Sequence, residues 1–399
     1  MQEVNPTTDT SRPWLIIVLA VACGLTAANL YYVQPLAGLI SAEIGLSPSA
    51  TGLTVTLTQL GYGLGLLLLV PLGDMLENRR LTLALLGLAA SGLIAASASS
   101  QALPFLAASL SIGLGTVAVQ VLVPYAAHLA PAESRGRAVG NVMSGLMLGI
   151  MLARPVAGLI SEFASWHAVF LFSAGAMLIL MAVLAKALPA RRPSTGMSYT
   201  TLLKSMAKLV VQTPLLRRRA LYHAALFASF SAFWTTVPLL LSSPEYGLSQ
   251  GGIALFSLAG AAGAIATPIA GRIADRGHSR IATVCAMSLV ALAFPLSLIA
   301  PSGSAWSVGV LLLSALLLDF GVAANLTLGQ RAIFALGAEM RSRLNGLYMA
   351  TFFIGGALGS AVSAWCYANG NWLWVCGFGF SLPALALAYL LKVAPVKES

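Results

Sequence analysis

Long apolar runs recur along the chain, separated by short polar segments. We mark twelve, at residues 14–38, 51–72, 81–98, 102–125, 138–160, 167–187, 220–241, 250–271, 281–300, 305–328, 343–366 and 371–391. A helix needs about 20 mostly apolar residues to cross a bilayer, and these runs reach or approach that length. The pattern therefore predicts an all-α membrane protein, with the runs numbered here as spans 1 to 12.

Composition supports the same class of protein. Hydrophobic residues make up 58% of the chain and charged residues 9%, against about 25% charged in a soluble domain. So apolar a chain could not cover its own core with polar surface, which excludes an ordinary soluble enzyme. The four cysteines form no Cys-x-x-Cys pair, so neither a disulfide framework nor a zinc site is indicated.

The net charge of +10 is explained by where the basic residues lie. If the N-terminus is inside, every Lys and Arg except Arg154 falls in a segment on the inner side. Cytoplasmic loops carry this excess in membrane proteins. The charge thus predicts that both termini are cytoplasmic, in a bacterial inner membrane, and indicates no nucleic-acid partner.

The longest predicted loop, residues 188–219, divides the chain into an N-terminal half at 14–187 and a C-terminal half at 220–391, with tails at 1–13 and 392–399. Apolar residues from Tyr199 to Val210 recur at helical spacing, together with Lys204 and Lys208. This pattern suits a short amphipathic helix on the inner leaflet. A plain tether between the halves is the alternative.

The two halves share sequence patterns. Residues 132–140 and 338–346 both read A-E-x-R-x-R-x-x-G, and the copies lie 206 residues apart. A second match joins Asp74 to Asp275, 201 residues later. Both copies have the same predicted topology, so the repeat is parallel. Transporters are often built this way, with the substrate site between the halves.

The sequence here resembles the major facilitator superfamily over essentially its whole length. The loop after span 2 matches the family signature at Leu72, Asp74 and Arg79, with Val70 and Met75 as departures. The copy after span 8 keeps Gly271, Asp275, Arg276 and Arg280. The resemblance implies twelve helices in two six-helix halves and a cavity lined by spans 1, 4, 7 and 10.

Span 5 resembles the antiporter motif of this family. Gly145, Gly149, Pro155 and Gly158 match it, while Arg154 replaces the glycine before the proline. Related antiporters often carry an arginine in span 4, where this chain has Ser109. The branch most resembled is the drug and sugar-metabolite efflux group.

Arg154 and Asp319 are the two charged residues near the middle of the predicted spans. A charge there costs at least about 2.5–3.5 kcal/mol. The resemblance places spans 5 and 10 at the interface between the halves, so we expect these residues to pair or to exchange partners during transport. Asp319 would accept a proton or cation, and Arg154 would hold an anionic group. A static ion pair is the alternative.

Polar and aromatic residues in the spans predict a substrate cavity. On span 7, Phe227, Phe230 and Trp234 share one helical face, suited to flat or cationic substrates. Packing and interhelical hydrogen bonds remain alternatives for each position. The expected cavity residues are Asn29, Tyr32, Gln59, Tyr62, Gln120, Arg154, Phe227, Phe230, Trp234, Asp319 and Asn325. His128 and His223 are interpreted as polar anchors at inner helix ends.

The resemblance also implies a conformational gate on the cytoplasmic side. Asp74 would face the start of span 11, and Asp275 the start of span 5, where a helix N-terminus favours negative charge. Arg79, Arg135, Arg276, Arg280 and Arg341 complete this expected gate. A solvated loop carboxylate is the alternative for either aspartate.

These features predict a secondary transporter that exports a small organic compound by alternating access, coupled to protons. An importer or uncoupled facilitator of the same fold is the alternative, and a non-transporting receptor a more remote one. No Gly-x-Ser-x-Gly, His-Glu-x-x-His or Walker motif is present, so an enzyme is not expected. We expect no cofactor or metal, and a monomer whose partners are substrate, protons and the lipid bilayer.

Overall fold

A computed structural model describes residues 13–131, 134–191, 198–304, 306–337 and 340–393. Within these ranges the chain is built of helices. Ten helices are long and apolar enough to cross a membrane, and the bent pair Trp14–Ala28 and Val33–Ile44 provides an eleventh span. The longest helix, Arg341–Lys392, contains two of the predicted spans, so the predicted order of twelve is present.

The N-terminal half contains spans 1 to 6. They are Pro13–Ala28 with Val33–Ile44, Leu53–Leu68 flanked by short 3-10 turns, Asn78–Ser97, Ala102–Thr116 with Ala118–Leu129, Arg135–Phe163 and Trp166–Ala187. The linker contains the helix Tyr199–Gln212. The C-terminal half continues with Pro214–Leu241, the segments Gln250–Phe256, Ser257–Ala261 and Ala262–Asp275, then Ser279–Leu296, Ser307–Phe334 and Arg341–Lys392.

The 52-residue helix Arg341–Lys392 turns back on itself. Gly370 and Asn371 have non-helical backbone angles. Near its start Arg343 donates to Ser205 of the linker helix, at 3.1 Å. Near its end the carbonyl of Leu390 accepts from Arg280, at 3.2 Å. The linker and the start of span 9 lie at the same face of the membrane, because an even number of spans precedes each of them. Both ends of Arg341–Lys392 therefore lie at that face. Spans 11 and 12 meet at the opposite face, which we call the far side.

Several helices extend beyond their apolar runs. Span 7 begins at Pro214, before the predicted start at residue 220, and includes the basic residues 217–219. Polar residues can continue a helix where it leaves the hydrocarbon, and hydropathy does not register that extension. The described linker is correspondingly shorter. Leu202 and Met206 of its helix are buried, and residues 192–197 of the predicted linker lie outside the described ranges. We call the membrane face that carries this helix the linker side.

Each half contains an equivalent close contact between helices. Gly145 and Gly149 of span 5 pack against the backbone of Ala20 and Gly24 in span 1, and Gly355 and Gly359 of span 11 pack against Ala224 and Ala228 in span 7. The absence of a Cβ permits this approach. Spans 1 and 5 thus correspond to spans 7 and 11, as the sequence repeat requires. Residues 132–133 and 338–339 of the repeat lie outside the described ranges.

The halves meet along two seams. In the 2/11 seam, a Cβ at Gly52 would collide with the backbone at Ser360. Thr56 Oγ1 donates to the Ala357 carbonyl at 3.0 Å. This seam is packed over most of its length, because Gly63 also approaches Ile354 further toward the linker side.

The second contact is the 5/8 seam. At the far side, a Cβ at Gly158 would lie 2.8 Å from Ala254 Cβ, and Glu162 accepts from the Gly251 amide at 2.9 Å. Toward the linker side, a Cβ at Gly140 or Gly271 would meet nothing within 4 Å. The described residues of this seam are therefore joined at the far side and apart at the linker side.

Candidate functional site

Arg154 of span 5 lies inside the protein, where its side chain is 2% exposed. Its Nε donates to Gln34 Oε1 at 2.6 Å. The guanidinium carbon lies 4.3 Å from the centre of the Trp234 ring, and 5.1 and 5.3 Å from those of Tyr31 and Phe230. Three aromatic rings thus stabilise the cation. Its Nη2 is buried with no hydrogen-bond partner among the described residues.

Asp319 lies near the middle of span 10 and is 6% exposed. Its Oδ2 accepts from Trp234 Nε1 at 3.0 Å. Trp234 therefore contacts both charges, with its ring face toward Arg154 and its N–H toward Asp319. We call Gln34, Arg154, Trp234 and Asp319 the central site.

A glycine of span 8 adjoins the space between the two charges. A carbon added at Gly260 would lie 3.1 Å from Arg154 Nη1 and 3.7 Å from Asp319 Oδ1. Gly260 belongs to the 3-10 segment Ser257–Ala261, which interrupts span 8. The central site is therefore formed by spans 1, 5, 7 and 10, with span 8 at its side.

Breaks in the helices position these groups. Span 1 is interrupted between Ala28 and Val33, and Tyr31 lies in that interruption. In span 5 Pro155 follows Arg154, and proline cannot donate the usual backbone hydrogen bond within a helix. The structure brings the two predicted charges to one site between the halves. Gln34 was missed, although a polar residue in an apolar run is a usable signal.

The aromatic residues on the predicted face of span 7 contact two different regions of the protein. Phe230 and Trp234 face Arg154. Phe227 instead stacks on Phe352 of span 11, with ring centres 3.5 Å apart, and lies against Gly356. Phe230 and Trp234 therefore belong to the central site, whereas Phe227, nearer the linker side, packs against span 11 within the C-terminal half.

Three polar residues predicted to line the cavity make hydrogen bonds between helices. Gln59 Nε2 donates to Ser231 Oγ at 3.0 Å, which joins the two halves. Gln120 Nε2 donates to Tyr62 Oη at 2.9 Å, within the N-terminal half. The Tyr62 ring also packs on Phe353 across the 2/11 seam, at 4.4 Å.

Asn29 and Tyr32 lie away from the central site. Ser173 of span 6 donates to Asn29 Oδ1, and Asn29 Nδ2 contacts Met177 Sδ at 3.6 Å. Tyr32 also bonds Ser173. The expectation that both line the cavity is corrected here. Because the helix stops at Ala28, these residues no longer continue its face and turn toward span 6.

Asn325 also turns away from the central site. Its Nδ2 lies 3.0 Å from His223 Nδ1. The interpretation of His223 as an anchor at a helix end is corrected as well, because the side chain is 0% exposed. Span 7 begins at Pro214, which places His223 well inside the helix.

The two gate aspartates differ in their surroundings. Asp74 is exposed, and it lies within the electrostatic influence of Arg343, near the start of span 11, and of Arg191. Asp275 forms an ion pair with Arg331 of span 10, within its own half. The expected contact of Asp275 with span 5 is replaced by this pair, since the linker ends of spans 5 and 8 are apart.

The basic residues of the expected gate lie on the linker side. Arg79 donates to the Leu188 carbonyl at 3.3 Å, and Arg341 donates to the Phe334 carbonyl at 3.2 Å. Arg280 bonds Leu390, as described above. Arg135 and Arg276 are exposed.

A cavity of about 860 Å³ opens at the linker side of the N-terminal half. Arg79, His128, Arg137 and Lys186 are among its lining residues. It lies at the opposite end of span 5 from Arg154, so it is separate from the central site.

Comparison with known proteins decides the family. The model described as Major Facilitator Superfamily matches residues 19–334. The chain belongs to the major facilitator superfamily. It is a multi-pass membrane transporter of this type, and the Uncharacterized transporter YgaY of Escherichia coli O157:H7 is 41% identical to it, over 94% of both chains.

This major facilitator protein is also similar to a resistance protein in sequence and to a solved transporter in structure. The Chloramphenicol resistance protein of Streptomyces lividans is 27% identical over 68% of this chain and 69% of that protein. The crystal structure of the nucleoside transporter NupG (D323A mutant) has a TM-score of 0.79 at 14% identity, covering 94% of this chain and 99% of the other. At that identity the structural likeness shows the fold alone.

Proposed function

We propose that this transporter exports a small organic compound in exchange for protons, and that Asp319 is the site of proton binding. The observation that carries the proposal is the central site. Two opposite charges are buried between the halves, and Arg154 Nη2 has no hydrogen-bond partner among the described residues.

A purely structural ion pair would be expected to satisfy its own atoms. Burying charges is costly unless they are paired and hydrogen-bonded. Here the guanidinium donates to Gln34 and the carboxylate accepts from Trp234, so among the described residues neither charge has the other as its hydrogen-bond partner. Arg154 Nη2 has no such partner at all. This arrangement favours a site that exchanges ligands over a static pair.

Protonation of Asp319 would change the forces within the central site. A neutral carboxyl attracts Arg154 and the Trp234 N–H less strongly than a carboxylate. Arg154 would then be released from the influence of Asp319 and change its position. Because Arg154 belongs to span 5 and Gly260 to span 8, this change acts where the 5/8 seam meets the site. Protons and substrate would thus bias the same seam, as alternating access requires.

The direction of transport is proposed from two features. Basic residues concentrate on the linker side, which we therefore place in the cytoplasm. The opening between spans 5 and 8 faces that side, which is the side from which an exported compound would enter. The Streptomyces lividans relative is named for chloramphenicol resistance. Export of the compound would provide resistance, so chloramphenicol is the first compound to test.

Inverted membrane vesicles test the proposal. A fluorescent probe reports the pH inside vesicles that have been acidified by respiration, and chloramphenicol and a panel of other compounds are then added. An exporter should release protons when its substrate is added. The Asp319→Asn variant should lose this release. Glu245→Gln, which makes the equivalent substitution at an exposed carboxylate outside the central site and the gate, should retain it.

Proton release that persists in Asp319→Asn would contradict the assignment of Asp319. Substrate counterflow without proton release in the wild-type protein would indicate an uncoupled facilitator and make the central charges structural.

A further inference from the structure

Spans 7, 10 and 11 enclose a second group of buried polar side chains, His223, Asn325 and Tyr348. Their exposed fractions are 0%, 1% and 0%. We propose that this inner polar cluster holds water molecules and that these waters conduct protons between Asp319 and the linker side. The conduction step rests on the proposed function, whereas the binding of water does not.

The cluster is held in a defined geometry. Asn325 Nδ2 lies 3.0 Å from His223 Nδ1. The imidazole stacks on Phe352, with ring centres 4.4 Å apart, and lies parallel to the Tyr348 ring at 5.2 Å. The imidazole is therefore fixed by span 10 on one side and by span 11 on the other.

Three polar atoms of the cluster have no hydrogen-bond partner within the described part of the chain. They are His223 Nε2, Asn325 Oδ1 and Tyr348 Oη. Buried polar groups in proteins are nearly always bonded to protein or ordered water, and a buried water typically makes about three hydrogen bonds. An amide oxygen accepts and a hydroxyl both donates and accepts. Water matches these three atoms because it can both donate and accept hydrogen bonds.

A metal ion fits the cluster poorly. It contains no carboxylate or thiolate to offset a cation, and the described residues include no group of three or more His, Cys, Asp or Glu that could hold one. A neutral ligand that both donates and accepts hydrogen bonds is better matched.

The position of the cluster connects Asp319 with the linker side. Asn325 follows Asp319 by six residues, about 9 Å along the helix. The Tyr348 hydroxyl lies against Gly329, one further turn along span 10. Next toward the linker side, Arg219 donates to Thr283 at 2.9 Å. Polar groups thus recur along spans 7 and 10 between the level of Asp319 and the linker side.

Water at this position would carry protons without chemical change in the protein. Each water accepts one proton and releases another to its neighbour, so no bond to His223, Asn325 or Tyr348 is made or broken. Of the charged groups along this line, Arg219 interacts electrostatically with Tyr348, and Asp319 lies about 9 Å from Asn325 along span 10. The three side chains are positioning residues, and Asp319 remains the group that binds the transported proton.

Hydroxyl-radical labelling of the purified full-length protein tests for the water directly, because radicals formed from a buried water oxidise adjacent side chains. Tyr348 and Phe352 should be labelled about tenfold or more above Phe294, another fully buried ring, if water lies within hydrogen-bonding reach of the cluster. His223→Phe, which keeps an aromatic ring but removes both nitrogens, should lower the labelling of Tyr348. Labelling of Tyr348 no greater than that of Phe294 would overturn the proposal.

Transport assays distinguish a role of the cluster in proton conduction from a purely structural role. In His223→Phe, proton release by the vesicle assay should slow by about tenfold or more, while counterflow of labelled chloramphenicol, or of the compound found in that assay, should be unchanged. His128→Phe, at an exposed histidine, is the matched control. An equal loss of release and counterflow would show a structural role and contradict conduction. Proton release that survives in Asp319→Asn would refute the proposed function and leave the labelling result standing.

Discussion

The two seams between the halves are equivalents in the sequence repeat, yet they differ in the structure. The 2/11 seam is packed from Gly52 at the far side to beyond Gly63. The 5/8 seam is joined near Gly158 and Glu162 and is apart at Gly140. The repeated sequence therefore provides two similar surfaces, but in this conformation one seam is packed along most of its length and the other at one end only.

The repeat also distributes charge unequally. At the 206-residue offset, Arg154 corresponds to Ser360 and Asp319 corresponds to Gly113. Ser360 accepts a hydrogen bond from Thr235 at 3.1 Å, so the equivalent position on the 2/11 side is neutral and satisfied. Both charges of the central site lie beside the seam that opens. We infer that the 2/11 seam acts as the pivot and the 5/8 seam as the moving contact.

The largest expected effect comes from filling the packed seam. Gly52→Val would force a side chain into the backbone of span 11 and should destabilise the protein by about 1–3 kcal/mol or more. Gly140→Val, on the open seam, should change stability by less than about 0.5 kcal/mol. Thermal unfolding in detergent measures both. Equal destabilisation by the two variants would remove the distinction between the seams.

Locking the moving contact should stop transport. In a variant without the four native cysteines, Glu162→Cys and Gly251→Cys place thiols at the joined end of the 5/8 seam. A short bifunctional thiol reagent should then reduce transport by about tenfold or more, because alternating access requires this end to open. Each single-cysteine variant serves as the control. Full transport after confirmed cross-linking would show that the seam does not move.

A comparable loss of transport should follow from removing the hydrogen bond that Trp234 donates to Asp319. Trp234→Phe keeps an aromatic ring beside Arg154 but removes the N–H that Asp319 accepts. A hydrogen bond to a charged group is worth about 1.5–3 kcal/mol, so proton-coupled transport should fall by about tenfold or more. Trp372→Phe, which loses a bond from Nε1 to the neutral Ser297 hydroxyl, is the matched control. Similar losses in both variants would argue against a special role for Trp234.

The smallest effect concerns the gate residues. Asp275 and Arg331 are both more than half exposed, and exposed pairs contribute about 0–1 kcal/mol. Asp275→Asn should therefore change stability by less than about 1 kcal/mol, and less than Asp74→Asn, whose carboxylate interacts electrostatically with both Arg343 and Arg191. Unfolding curves compare the two variants. A larger loss of stability from Asp275→Asn than from Asp74→Asn would contradict this order.

The sequence predicts those features that the bilayer itself imposes. Apolar length determines the spans, and the cost of a charge at mid-depth singles out Arg154 and Asp319. That the two lie together is expected from the resemblance, which places spans 5 and 10 between the halves. The surroundings of Asn29 and Tyr32 could not be predicted, because the interruption after Ala28 contains neither glycine nor proline. Helix ends also escaped prediction, since the basic start of span 7 is helical without being apolar. Gly260 has no side chain to signal its place beside the site.

Proton release upon substrate binding tests the central claim most directly. The purified protein is mixed in weakly buffered detergent solution with a compound identified in the vesicle assay, and the change in bulk pH is recorded. The account predicts that wild-type protein and Glu245→Gln release protons on binding, while Asp319→Asn binds the compound without release. Equal release from Asp319→Asn and the wild-type protein would contradict the assignment of Asp319 as the proton site.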